Sequence, residues 1–264
     1  MDREKPEDDY EESFPILEGT PPKGVTRLER RAITLSALAL TLSLFLYFMP
    51  AGTRLALIES IFDQRILVGI LLLFALVTVS LLWSAGQRFD AWLFLKINLH
   101  GFHTAWLDGI MWLLTNLGSF GFAMLLVAAM FLLHLRRVGV VLLLGMLTLW
   151  IMVEAVKALT DRRRPFTLLA SVRVVGWKAM GLSFPSGHTS QAFFLATLIS
   201  RHFQLGIGIT ALLYLLAILV AVTRVYVGAH YPRDVLAGAL LGAVWGVLAV
   251  VVDAYLLQLN SPLP

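Results

Sequence analysis

The sequence contains no cysteine among its 264 residues, and charged residues make up only 14% of it. The first absence excludes disulfide bonds and thiolate metal sites. The scarcity of charge goes with 58% hydrophobic residues and a mean hydropathy of +0.80. This composition excludes an ordinary soluble domain and places the chain among membrane proteins.

The N-terminus lacks the features of a cleavable signal peptide, because its charges are mixed and its first apolar run starts only near Ala32. Residues 1–26 are acidic, with eight Asp and Glu against three Lys and Arg. Four prolines and no apolar periodicity predict a disordered tail there. The remaining residues carry 18 Lys and Arg against 9 Asp and Glu. That balance suits anionic partners such as lipid head groups or phosphates, and no nucleic-acid partner is predicted.

Long apolar runs predict about seven membrane spans in an all-α bundle. A span needs about 20 apolar residues, and at this apolarity only helices satisfy their own backbone in hydrocarbon. Residues 85–118 are rich in Trp but broken by charges, and they predict an interfacial amphipathic segment. Glycines 238, 242 and 246 predict close helix packing. The predicted spans are 32–49, 66–84, 120–135, 138–156, 188–200, 206–223 and 235–257.

Polar residues are concentrated in three short stretches at the ends of spans. These are KALTDRRRP at 157–165, PSGH at 185–188 and TRVYVGAHYPRD at 223–234. Two spans separate the second stretch from the third, and a loop without a crossing joins the first to the second. All three should therefore lie on one membrane face. The candidate site residues are Lys157, Arg164, Ser186, Gly187, His188, Arg224, His230 and Asp234.

Three of these residues are cations that would repel one another without a partner. A phosphate supplies that partner, because Arg offers a bidentate fork and Lys a point charge. Ser186 lies where a helix is predicted to start, and Gly187 lets its backbone N–H approach a ligand. The N-terminus of a helix is an anion site. The sequence therefore predicts a phosphate cradle built from Lys157, Arg164, Arg224, Ser186 and Gly187.

The two histidines predict phosphoryl transfer rather than binding alone. Asp234 follows His230 by four residues, and a carboxylate that accepts one ring proton leaves the other nitrogen free to attack. His230 is the predicted nucleophile, forming a phosphohistidine. His188 is the predicted acid for the leaving oxygen and the base for water in the second step. The cations take over the electrostatic task of a metal, so no metal and no cofactor is predicted.

These stretches resemble the signature of the type 2 phosphatidic acid phosphatase (PAP2) superfamily. Lys157 is followed after six residues by Arg164-Pro165, and Pro-Ser-Gly-His comes next. Arg224 is followed after five residues by His230 and then, after three, by Asp234. The resemblance implies a six-helix catalytic core, a metal-independent phosphatase acting on lipid phosphates or diphosphates, and the same residue roles. Two departures are Thr223 in place of serine and the extra apolar segment at 32–49.

The combined prediction is a membrane lipid phosphatase acting on an undecaprenyl diphosphate, phosphatidic acid or phosphatidylglycerol phosphate type of substrate. Its domains are a tail at 1–26, an N-terminal apolar helix and connector at 27–65, and a PAP2-like catalytic membrane domain at 66–264. The expected location is a bacterial-type inner or plasma membrane, and the resemblance favours an active site on the extracytoplasmic face. The alternatives are a lipid phosphotransferase, in which a hydroxyl replaces water, and a non-catalytic phospholipid-binding or transport protein.

Several charged residues near the site have two open interpretations. Glu154 lies three residues before Lys157, and the pair either orients Lys157 or is purely structural. The remaining cations of the loop between the first two stretches either attract an anionic head group or are simply solvated, and solvation is the default. These cations are Arg162, Arg163, Arg173 and Lys178.

Overall fold

The structure is a computed structural model that describes residues 65–169 and 171–260 and the isolated positions 36, 40 and 47, with side chains up to Ala254. Within these ranges every regular element is a helix and no strand occurs, so the predicted all-α class is confirmed. Apart from the isolated positions 36, 40 and 47, the predicted apolar helix at 32–49 lies outside the described residues, as does the acidic tail at 1–26. The domain boundaries of the sequence analysis therefore stay predictions.

The helices begin and end at residues that suit helix termini. Ser119 accepts a hydrogen bond from the amide of Phe122 at 3.1 Å and caps the helix that starts at Phe120. Prolines 165 and 232 each occupy a first helical position. The described helices are α1 (Arg65–Ser80), α2 (Ser84–Asn98), α3 (Ala105–Thr115), α4 (Phe120–Leu132), α5 (Arg136–Thr160), α6 (Pro165–Leu168), α7 (Gly187–His202), α8 (Ile207–Tyr226) and α9 (Pro232–Asn260), with a 3₁₀ turn at Asn116–Gly118.

Three stretches of the described chain are long and apolar enough to cross a membrane: Arg136–Leu168, Ile207–Tyr226 and Pro232–Ala254. Two further pairs pass the same test only together. The α1–α2 pair is bent by 96° and the pair formed by α3 and α4 by 55°. The described residues thus hold three to five spans by length and composition. The predicted number of about seven stays a prediction.

Residues 85–118 form more than a single interfacial segment. They fold into α2 and α3, and α2 turns sharply away from α1 after residue 83. One face of α2 is exposed and aromatic, with Phe89 and Trp92 both more than half exposed. Its other face is buried and carries Asp90, Phe94 and Asn98. The aromatic face agrees with an interfacial position, and the buried polar face is a new observation.

The centre of the bundle is α9 packed along α7, and α5 packs against both of them. The predicted close approach at the glycines of α9 is confirmed. A Cβ at Gly238 would lie 2.7 Å from the carbonyl oxygen of Ser186, and one at Gly246 would lie 2.6 Å from Cβ of Thr197. A Cβ at Gly242 would collide with the backbone of Ser190. Only residues without a side chain allow this separation of the two axes.

The packing brings four helix termini together at one end of the bundle. They are the C-termini of α5 and α8 and the N-termini of α7 and α9. A backbone hydrogen bond of 2.9 Å from the amide of Ser186 to the carbonyl of Asp234 ties the starts of α7 and α9 together. At the opposite end, Arg137 pairs with Asp253 at 2.7 Å. The predicted candidate residues therefore share one end of the bundle.

Candidate active site

His230 lies in the short connection between α8 and α9, where its side chain is almost fully buried. Its Nδ1 is 2.8 Å from the carbonyl oxygen of Ser183, and its Nε2 is 3.0 Å from a guanidinium nitrogen of Arg164. A carbonyl can only accept and a guanidinium can only donate. These two partners assign the ring proton to Nδ1 and leave the lone pair on Nε2.

The environment of His230 favours the neutral ring. Burial holds the pKa of the His230 imidazole well below its ordinary value, and the positive charges of Arg164, Arg224 and Lys157 lower it further. The hydrogen bond to Ser183 acts in the opposite direction and is the weaker influence. A neutral imidazole with its lone pair directed at an arginine can attack an electrophile held by that arginine.

Asp234 does not bond directly to the ring as the sequence analysis expected. Its Oδ2 lies 3.7 Å from Nδ1 of His230, which is longer than a hydrogen bond. The Oδ2 atom instead accepts from the hydroxyl of Ser183 at 2.5 Å and from the amide of Tyr231 at 2.9 Å. The other carboxylate oxygen accepts from Arg162 at 2.5 Å. Ser183 therefore stands between the carboxylate and the imidazole.

Arg164 is held mainly by backbone carbonyls. It donates to the carbonyl oxygens of Met180 at 2.9 Å, Gly181 at 3.0 Å and Ala229 at 3.1 Å, in addition to His230. It is only 5% exposed, and all these acceptors are neutral. Within the described ranges, no carboxylate is bonded to this guanidinium, and its charge remains available to an anion.

Arg224 is a second buried cation at the end of α8. One of its terminal nitrogens donates to the hydroxyl of Thr115 at 2.7 Å, and its Nε is buried without a hydrogen-bond partner among the described residues. An unpartnered buried donor is costly. A phosphate oxygen is one group that would satisfy it.

Lys157 and Glu154 form the expected pair, with Nζ 2.7 Å from Oε1. The lysine side chain is 13% exposed and the glutamate side chain 49%. Lys157 also acts electrostatically on both His188 and His230. The contact is therefore observed, and whether it orients Lys157 for a substrate stays a prediction.

The start of α7 has the geometry of an anion site. Ser186 is the N-cap residue, and the first backbone hydrogen bond of the helix runs from the amide of Ser190 to the carbonyl of Ser186 at 2.9 Å. The amides of residues 187–189 precede that bond and have no carbonyl within the helix. His188 lies in the same turn, and the charges of Arg224, Arg164 and Lys157 all act on its ring. Both histidines are thus within electrostatic range of the same three cations.

Three contributors to this arrangement were missed by the sequence analysis: Ser183, Arg162 and Asp90. Arg162 is 8% exposed and pairs with both Asp234 and Asp90, which corrects its interpretation as a solvated charge. A signal was present in α2, where Asp90, Phe94 and Asn98 recur at helical spacing and define a buried face, and Gln87 lies half-buried one turn earlier. Ser183 carries no comparable signal.

The other loop cations differ from one another. Arg173 is paired with Asp108 at 2.7 Å, so it is not a free solvated charge either. Arg163 and Lys178 are exposed, as the default interpretation expected. No cluster of three His, Cys, Asp or Glu that could hold a metal occurs in the part of the chain that the structure describes.

Comparison with known proteins gives a family match and several relatives. The family model described as the PAP2 superfamily matches residues 136–257. An undecaprenyl-diphosphatase of Sulfolobus acidocaldarius is 30% identical in an alignment of 193 residues that covers 70% of this chain and 90% of that protein. A lipid A 4'-phosphatase of Bacteroides thetaiotaomicron is 34% identical over 94 residues, covering 34% of this chain and 41% of the relative.

Two solved structures share this architecture. One is a transmembrane PAP2-type phosphatidylglycerolphosphate phosphatase from Bacillus subtilis, with a TM-score of 0.60 and 26% identity. The match covers 71% of this chain and 96% of that one. The other is LpxE of Aquifex aeolicus, with a TM-score of 0.54 and 31% identity over 60% of this chain and 93% of that one.

Proposed function

This chain belongs to the PAP2 superfamily and is a membrane lipid phosphatase, and from that premise we propose that it works through a phosphohistidine formed on His230. The observation that carries the proposal is the pair of ring contacts of His230. The Ser183 carbonyl accepts a hydrogen bond from the protonated Nδ1, and the Arg164 guanidinium lies 3.0 Å from Nε2. A phosphoryl group bound by Arg164 would lie beside the attacking lone pair.

In the first step, the Nε2 lone pair of His230 attacks phosphorus and a P–N bond forms. The P–O bond to the lipid breaks, and His188 supplies the proton that the leaving oxygen needs. In the second step, His188 removes a proton from water, the oxygen of that water attacks phosphorus, and the P–N bond breaks. Inorganic phosphate leaves, and both histidines return to their starting states.

The cations supply the electrostatic stabilisation of the transferring group. Arg164, Arg224 and Lys157 all act on both histidines. Negative charge on the equatorial oxygens of the phosphoryl group is spread in the transition state, and preorganised donors lower its energy. The free amides at the start of α7, from Gly187 onward, add further donors beside Ser186.

The substrate class is a lipid whose phosphate or diphosphate lies at the membrane surface. Undecaprenyl diphosphate, phosphatidic acid and phosphatidylglycerol phosphate are the candidates, each presenting a terminal phosphoryl group to the cluster while its tail stays in the bilayer. The name of the relative matched over 90% of its length, an undecaprenyl-diphosphatase, supports a polyprenyl diphosphate as the first substrate to test.

The mechanism is tested by phosphate release from these three lipids in detergent, with EDTA present and with or without a hydroxyl acceptor. We expect release by the unaltered protein and almost none by His230→Ala, since the nucleophile is then missing. His188→Ala should reduce release strongly. Release that requires a metal, or that survives both substitutions, would contradict the mechanism. Transfer to the acceptor in place of release would identify a phosphotransferase.

We further propose that the active site faces away from the cytoplasm, in a bacterial-type inner or plasma membrane. Arg136 and Arg137 begin α5 at the opposite end of the bundle, and positive charge favours the cytoplasmic side. Because the sequence has no cysteine, single cysteines can be labelled without background. Lys178→Cys, near the site, should react with an impermeant thiol reagent in intact cells, and Gln204→Cys, in the α7–α8 turn, should not. The reverse pattern would overturn this orientation.

A further inference from the structure

Three consecutive arginines, 162 to 164, enter the site region, and they have different surroundings. Arg164 contacts His230, whereas Arg163 is exposed. Arg162 is buried and touches neither histidine ring in any hydrogen bond. Its guanidinium donates to Asp234 at 2.5 Å, to Asp90 and, at 3.0 Å, to the amide oxygen of Gln87. Nothing in the signature at 157–165 distinguishes Arg162 from Arg163.

The position of Arg162 is fixed from several sides. Its guanidinium carbon lies 4.2 Å from the centre of the Tyr231 ring, in a cation–π arrangement. The Asp90 carboxylate is only 1% exposed and also accepts from the amide of Arg233 at 3.0 Å and from its Nε at 3.2 Å. Two arginines therefore balance the two carboxylates of Asp90 and Asp234 in a buried network.

We propose that Arg162 and Asp90 act as positioning residues for the reaction, holding Asp234 in the orientation in which it supports Ser183 and, through it, His230. The inference rests on the proposed nucleophilic role of His230. Asp234 has two carboxylate oxygens with different tasks. Oδ1 is held by Arg162, and Oδ2 accepts from Ser183 and from the amide of Tyr231.

Rotation of the Asp234 carboxylate would break the separate hydrogen bonds that Oδ1 and Oδ2 make. Without Arg162, Oδ1 loses its only charged partner among the described residues, and Asp234 becomes an uncompensated buried charge, whereas Asp90 still pairs with Arg233. The carboxylate would then turn towards Nδ1 of His230, which is already within 3.7 Å. The ring would lose its fixed contact with the Ser183 carbonyl, and Nε2 would no longer point at the phosphoryl group.

Helix α2, which has the exposed aromatic face, carries Asp90 and so contributes to this positioning. Asp90 projects from its buried face towards the start of α9. One helical turn further along, the ring of Phe94 packs against Tyr231 at 5.5 Å between centroids. Asn98 bonds to the backbone of Arg173 and Tyr226, each at 2.9 Å. An interfacial helix is thereby fastened to the connection that carries the nucleophile.

The kinetic test compares Arg162→Gln, Arg163→Gln and Arg164→Gln on the lipid that the unaltered protein hydrolyses fastest. Because Arg162 does not bind substrate, we expect kcat to fall about 10- to 100-fold with KM changed less than about 3-fold, as misplacement of a reacting group predicts. Arg163→Gln should change neither. Arg164→Gln should raise KM as well as lower kcat. A normal kcat in Arg162→Gln, or a KM that rises as in Arg164→Gln, would overturn the proposal.

Two further variants cover the case in which Arg162→Gln does not fold. Arg162→Lys keeps the charge but loses the fork, and its kcat should lie between those of the unaltered protein and Arg162→Gln. Asp90→Asn should lower kcat with KM preserved. Full kcat in both variants would exclude a positioning role.

A readout independent of turnover separates failure of this proposal from failure of the proposed function. Histidine-selective ¹⁵N spectra of the protein in micelles report the protonation of His230, identified by its absence in His230→Ala. In Arg162→Gln the ring should protonate at a higher pH than in the unaltered protein, because Asp234 is freed from its cation. The other charges facing the ring, Arg164, Arg224 and Lys157, are unchanged in this variant. An unchanged titration would refute the positioning role even if no lipid tested is hydrolysed.

Discussion

The contact between α9 and α7 makes Gly238→Ala an informative perturbation. The added methyl group would lie 2.7 Å from the carbonyl oxygen of Ser186 and 3.1 Å from Cβ of Thr189. Ordinary contact begins near 3.4 Å, so the two helices must separate by about 0.7 Å. Ser186 is the N-cap of α7, and this separation therefore moves the residues predicted to bind phosphate and to donate the proton.

The expected losses of stability and of rate in Gly238→Ala can be estimated from the size of this displacement. Overpacking of this kind costs about 1–3 kcal/mol of stability. A misplacement of about 1 Å can cost about 100-fold in rate. We expect Gly238→Ala to remain folded, with a lower melting temperature and a kcat reduced about 10- to 100-fold. Phosphate release and thermal unfolding in the same detergent measure both effects.

Two matched substitutions separate local from global effects. Gly246→Ala creates a comparable collision with Thr197, at 2.6 Å, but about 12 Å further along α9 from Gly238. It should lower the melting temperature with a much smaller loss of kcat. Gly69→Ala in α1 meets nothing within 4 Å and should change neither quantity. Full activity in Gly238→Ala, or an equal loss in Gly246→Ala, would refute this reasoning.

Three further predictions concern the site itself. The pKa of His230 is held below its ordinary value of about 6.5, and only the neutral ring attacks. The value of kcat/KM should therefore stay high as the pH is lowered, until the pH is below about 6.5. A His230-dependent fall of kcat/KM already above pH 7 would contradict this. Ser183→Ala removes the 2.5 Å hydrogen bond to Asp234 but keeps the backbone carbonyl that accepts from His230. We expect kcat to fall about 10-fold in Ser183→Ala and to recover in Ser183→Thr. An unchanged kcat in Ser183→Ala would exclude the bridging role of the hydroxyl. Glu154→Gln removes the half-exposed carboxylate that pairs with Lys157. Such an exposed ion pair contributes at most about 1 kcal/mol, so KM should change by less than about 5-fold. A larger change in KM would show that the pair orients Lys157.

The family assignment places the observed geometry in a chemical context. The relatives include proteins named for undecaprenyl diphosphate, lipid A and phosphatidylglycerol phosphate, which share a phosphate or diphosphate attached to a lipid. The residues proposed to bind phosphate are those that any such substrate would need. Arg162 contacts both Asp234 and Asp90, and among the described contacts neither Arg162 nor Asp90 is bonded to His230, so the positioning role proposed for them concerns the reactivity of His230 rather than the choice of lipid.

The sequence by itself determined the class of the fold and the residues that meet. Apolar runs require helices in hydrocarbon, and the parity of spans places Lys157, His188 and His230 at one end of the bundle. Glycines at four-residue spacing along α9 predicted its close packing. These conclusions depend only on hydropathy, chain connectivity and residue size, which the sequence contains directly.

Only the tertiary structure decided which arginine serves which purpose. The chain at 161–164 is not helical, and Arg164 is extended ahead of Pro165, as a residue before proline tends to be. Along an extended chain alternate side chains face opposite sides, and here residues 162 and 164 are buried while 163 is exposed. Whether the buried guanidinium of Arg162 pairs with a carboxylate depends on Asp90, which lies 72 residues away in the chain. Local sequence cannot encode such a pairing, because it forms only when α2 packs against the start of α9.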